Sequence, residues 1–174
     1  MHDVGLAVWF GGTLANAVSL NPAAAQADAA SATGAVTNTG WDRWEPVNAA
    51  AIGVHLTGSV GVLAGNLGRM SAQRGVGTMA AAKTGLTIAS LAATAYSRVL
   101  GRRVSRVTSV PASSGTEPAA GTPAGVAGAQ RQLAVLQWVV PALTGALVGV
   151  SAYAGEQQRP RETIKGTLSR VLRV

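Results

Sequence analysis

The chain has 174 residues, 48% of them hydrophobic and only 12% charged, with a mean hydropathy of +0.27. Soluble domains carry roughly 25% charged residues, so an ordinary soluble globule is disfavoured. The absence of Cys excludes disulfides, thiolate metal sites and Cys nucleophiles. The net charge of +7 does not gather on one face, because most Lys and Arg fall in linkers or at segment ends, and nucleic-acid binding is not expected.

The apolar residues are small, with 22 Gly and a single Phe. Bulky side chains bury the area that stabilises a soluble core, whereas small ones suit close helix packing in lipid. Runs poor in charge then set the organisation. Residues 4–26, 46–68, 75–97 and 132–155 are charge-free except for Lys83. Each run would be roughly 34 Å long as a helix, enough for a hydrocarbon core about 30 Å thick. The expected fold is therefore all-α, an integral membrane four-helix bundle with four spans.

The first run is followed by small residues that resemble a signal-cleavage region, but "MHDVG" lacks the positive n-region of a signal peptide, so a retained helix is expected. A loop from 27 to 45 leads to "GWDRWEPVN", where Trp41 and Trp44 read as membrane-interface anchors and Pro46 suits the first turn of the second span. Trp9 and Trp138 also read as interfacial. The short "RMSAQRG" makes the second and third spans a tight hairpin. After "SRVLGRRVSRV", a basic helical continuation of the third span, residues 107–130 form a flexible loop rich in Pro, Gly, Ser and Ala. Residues 156–174 place apolar and basic residues at helical spacing, a basic amphipathic tail suited either to anionic lipid or to a solvated helix. Cations divide almost evenly between the two sides. The acidic first loop favours the outside, which puts both termini in the cytoplasm.

Small residues recur every four positions: Ala7, Gly11, Ala15 and Ser19; Gly53, Thr57, Gly61 and Gly65; Ala81, Gly85, Ala89 and Ala93. Gly11, Gly61, Gly65 and Gly85 are the expected packing positions, most simply within this bundle, with one face left for a partner chain. The fourth span carries Pro141, which should kink it or mark a break.

Asn16, His55 and Lys83 are the polar residues of interest, with Thr87, Ser90 and Thr94 following Lys83 as a polar seam. A Lys at mid-bilayer costs on the order of 3 kcal/mol, so Lys83 either snorkels or lines a cavity. His55 either bonds a backbone carbonyl or meets a ligand. No carboxylate lies within a span, so a partner is expected to supply the counter-charge. Haem ligation by two His would need a second His at bilayer depth, and His2 lies at the extreme terminus, so it is not expected. No metal, cofactor or catalytic constellation is recognisable, and no enzyme is expected.

"GLAVWFGGTL", with Phe10, Gly11 and Gly12, resembles the opening helix of CopD-type membrane proteins. The His and Met pattern that copper handling would need is absent. The Ala, Gly and Arg bias and the style of "QWVVPALTGALVGVSAYAGEQQRP" resemble uncharacterised small four-helix actinobacterial integral membrane proteins. The expectation is a multi-pass protein of the inner (plasma) membrane. Its role would be a non-catalytic accessory or scaffold subunit, contacting the lipid bilayer and other subunits of a larger complex such as a respiratory one. The alternative is a small-molecule carrier or quinone-binding module using His55 and Lys83.

Overall fold

Helix dominates the chain because its residues are mostly small and apolar and its few breakers cluster in short joints. The computed structural model describes residues 1–72, 76–107 and 111–157, and the side chains of all but 66–72, 76, 156 and 157. The elements are α1 (His2–Ala15), a π-helical turn (Asn16–Leu20), α2 (Asn21–Ala24), α3 (Ala30–Ala72), α4 (Val76–Ser105), β1 (Ala112–Ser114), β2 (Glu117–Pro118) and α5 (Ala124–Gln157). Among the described residues, three segments are long and apolar enough to cross a membrane: His2–Ala24, Ala30–Gly65 and Ala124–Gly155. The helix carrying the expected third span, α4, does not join them, since Lys83, its Thr and Ser residues and the Arg-rich end dilute its apolar content.

The first segment runs through Pro22 without stopping. Proline lacks an N–H and its ring clashes with the carbonyl four residues back. The π-helical turn just before it widens the helix, which is how such a residue is accommodated in apolar helices.

The expected loop at 27–45 is a correction. Only a few residues separate α2 from α3, which begins at Ala30 and carries Pro46 in its interior rather than at a first turn. Tertiary packing overrides the local signals. The buried Thr33 and Thr37 turn their hydroxyls back onto the carbonyls of Ala29 and Thr33, and the following turns press against the first segment. The two helices run antiparallel and very close. A Cβ on Gly5 would collide with the Ala51 carbonyl and the His55 backbone, one on Gly12 with the Trp44 ring, one on Gly40 with Leu20, and one on Gly58 with the backbone of His2. These four glycines allow the close contact between α3 and the first segment, α1 with its π-helical turn.

Helices α4 and α5 form a second antiparallel pair through Leu100, Val104, Val126 and Ala129, with the Tyr96 hydroxyl donating to Gln132. Leu6, Trp9, Ala51 and Leu147 form the core that unites the pairs, with Leu86 and Leu91 of α4 packed against it. The link of the expected α3–α4 hairpin, 73–75, lies outside the described residues; where both helices are described, Glu45 of α3 pairs with Arg98 and Arg102 of α4. Helix α5 continues through the buried Pro141 without a break.

The expected flexible loop at 107–130 also differs. Its described part holds an antiparallel hairpin, with Ala112 opposite Pro118 and Ser114 opposite Glu117, and the first turns of α5. Ala112 and Thr116 are buried, and the hairpin packs on α3 and α5. Gly121, at φ +85°, adopts the left-handed conformation that lets the chain turn into α5. The basic tail lies outside the described residues from 158 onward.

Candidate functional site

The first turn of α1 lies against α3 where Gly5 and Gly58 remove two side chains from the contact. That closeness brings His2 over His55: their ring centroids are 4.5 Å apart with planes tilted by 47°. His2, which the sequence sets at the extreme terminus, thus meets His55. The register of this pairing depends on helix contact between residues far apart in sequence, which no local pattern reveals.

His55 is fully buried. Its Nδ1 lies 3.2 Å from the His2 carbonyl. A carbonyl only accepts, so Nδ1 carries the hydrogen and Nε2 of the neutral ring is a bare lone pair. Among the described residues that Nε2 has no hydrogen-bond partner. His2 is backed in the same way, with Nδ1 donating to Asp3 Oδ1 at 2.7 Å. Trp9 closes one side, 6.0 Å from the His55 ring, and its Nε1 donates to Thr94 Oγ1 at 3.2 Å. Trp9 is thus a core residue rather than an interfacial one; only Trp138 is largely exposed.

Lys83 is half-buried, and its charge acts on both His55 and Asp3. Asp3, one residue outside the expected span, acts on Lys83 electrostatically but forms no direct ion pair with it among the described residues. The seam after Lys83 is real in part. Ser90 is fully buried and its hydroxyl has no partner among the described residues, and Thr94 accepts from Trp9. His55 also lies level with the first turn of a segment about 33 Å long, at its end rather than its middle.

Asn16 does not belong to this cluster. It begins the π-helical turn, about 20 Å along the helix from His2, and its Nδ2 is buried without a partner among the described residues. Trp41 and Trp44 are half-buried and held by the first segment. Trp44 covers Gly12, while Trp41 Nε1 donates to Asn21 Oδ1 at 3.1 Å. Asn21 Nδ2 in turn donates to Gln137 Oε1 at 2.7 Å, and Gln137 Nε2 to Thr116 Oγ1 at 3.2 Å. This network ties α2, α3, α5 and the hairpin together and was not anticipated. The only sequence signal for it was amide side chains inside apolar runs.

Gly11, Gly61, Gly65 and Gly85 face outward, and a Cβ on any of them would meet no described atom of the chain within 4 Å. Their stripe-mates Ala7, Ala15, Gly53, Thr57, Ala81 and Ala89 are likewise exposed. The spacing was legible, but the face was not.

Among the described residues no group of three or more His, Cys, Asp or Glu could hold a metal ion. Comparison with protein-family models, curated proteins and solved structures finds no match.

Proposed function

We propose that this chain is a non-catalytic accessory subunit of the inner membrane, a four-helix bundle that crosses the bilayer and packs its outer helix faces against the spans of a larger complex. The observation that carries the reading is the position of its small-residue stripes. On α1, α3 and α4 they point away from the chain's own helices. In lipid such surfaces gain little from acyl chains but allow a second helix backbone to approach closely. Large apolar side chains stand on the same helices, Val60 at 69% and Ile88 at 62% exposure, a surface that water would not tolerate over so wide an area. Helix α4, the least apolar of the four, would cross with α5 along one flank and Asp3 near Lys83.

The test is gentle detergent extraction from the native host, with the chain as bait and mass spectrometry of what co-migrates. A stoichiometric larger complex is expected. Gly61→Leu and Gly85→Leu should each release the chain from it while leaving helicity and melting temperature unchanged, because neither glycine touches a described neighbour. A wild-type chain that always returns alone would overturn the reading.

A further inference from the structure

The stacked imidazoles of His2 and His55 have a chemistry that the subunit reading does not use. Each ring spends its Nδ1 hydrogen on an acceptor: the Asp3 carboxylate for His2, the His2 carbonyl for His55. His55 is thereby left with an Nε2 lone pair that has no partner among the described residues, and His2 in its neutral form presents an Nε2 lone pair likewise directed away from its acceptor. A carboxylate or backbone carbonyl behind the ring is the outer-shell arrangement that orients metal-ligating histidines and raises their basicity. A fully buried His needs no such bare nitrogen for packing, and leaving a buried acceptor unmatched costs about 1–3 kcal/mol.

The spacing decides whether one ion could serve both rings. A first-row cation sits about 2.0–2.1 Å from an imidazole nitrogen, so a ring centroid lies about 3.2 Å from the metal. Two ligands at 90° to 109° then place their centroids roughly 4.5–5 Å apart. The observed 4.5 Å lies at the close end of that interval. The rings are tilted by 47° rather than stacked flat.

We propose that His2 and His55 form a two-histidine site for a first-row divalent cation of the imidazole-preferring class. Asp3 and the His2 carbonyl act as outer-shell supports, and water or a small anion completes the coordination. Imidazole suits zinc and its neighbours in the series better than magnesium or calcium. The nearby charges set the strength. Lys83 opposes a cation and the exposed Asp3 offsets it, so the site binds weakly enough to exchange.

Co2+ is the probe, because nitrogen ligation produces visible ligand-field bands. The full chain, carrying no histidine tag, is titrated in detergent with Co2+ and then challenged with Zn2+. One equivalent of Co2+, displaced by Zn2+, is expected. His2→Ala and His55→Ala should each abolish the bands, and Asp3→Asn should weaken binding about 10- to 100-fold. His55→Ala removes a core ring and could unfold the chain; His2→Ala at the helix start keeps the test decisive, with circular dichroism checking helicity. No uptake by the wild-type chain would overturn the site. So would loss in His2→Ala with full binding in His55→Ala, which would report a chelate at the chain terminus alone.

Discussion

At the residue scale, glycine plays two opposite parts in this protein. Gly5, Gly12, Gly40 and Gly58 lie where another helix occupies the space a Cβ would need, whereas Gly11, Gly61, Gly65 and Gly85 meet open space. Composition does not distinguish them. The contrast predicts a paired experiment on α1. Gly5→Ala pushes a methyl into the backbone of α3, which cannot rotate away, so it should destabilise the chain by about 1–3 kcal/mol, as overpacking does. Gly11→Ala should be neutral or slightly stabilising, since alanine is the better helix former. Thermal unfolding in detergent followed by circular dichroism reads both, and equal melting temperatures for the two variants would contradict the α1–α3 contact. Lys83→Met belongs to the same scale. Removing a positive charge near His55 should tighten Co2+ binding severalfold, with the titration above as the measurement.

At the element scale, α3 shows how tertiary contact extends a helix through sequence that reads as a loop. Its first turns are Ala, Ser, Thr, Asn and Gly with a charged "WDRWE" stretch, and Pro46 follows. Its Thr, Asn, Ser, Gly and Asp residues and Pro46 disfavour helix, against the Ala, Arg and Glu among them that favour it. They become helical because the first segment offers a partner along their whole length, from Leu20 against Gly40 to His2 against Gly58. The chain has no Cys, so spin labels at Ser31→Cys and Ala64→Cys report on it cleanly. One continuous helix places the labelled backbones about 50 Å apart at 1.5 Å per residue; a loop before Pro46 would give a markedly shorter, broader distribution. The joint between elements is the Asn21 network. Asn21→Leu would strand the Trp41 indole N–H and the Gln137 amide in a half-buried site, costing about 1–3 kcal/mol. A lower melting temperature together with changed tryptophan fluorescence is the expected outcome.

At the scale of the whole molecule, the helices group as α1 with α3 and α4 with α5, joined by a small core around Leu6, Trp9, Ala51 and Leu147. Few large side chains are fully buried, and many apolar ones remain outside. Much of the apolar surface must therefore be covered by something other than this chain. Helix α3 alone is about 64 Å long, twice the hydrocarbon thickness, so its two ends cannot both lie within one bilayer. Release of the chain from its complex by Gly61→Leu, with its own fold intact, is the prediction that belongs to this scale.

The amino-acid sequence alone determined that the chain is helical and rich in apolar segments long enough to cross a membrane, because those properties follow from composition along contiguous runs. It also marked His55, Lys83 and the four-residue stripes, since residue type and spacing are local. The tertiary structure decided which side of each helix faces inward, that His2 meets His55, and that residues 30–45 are helix and 111–118 a packed hairpin. These depend on close approach between segments distant along the chain. A stripe of small residues permits such approach on any face, and only the competition among all the faces selects the ones that are used.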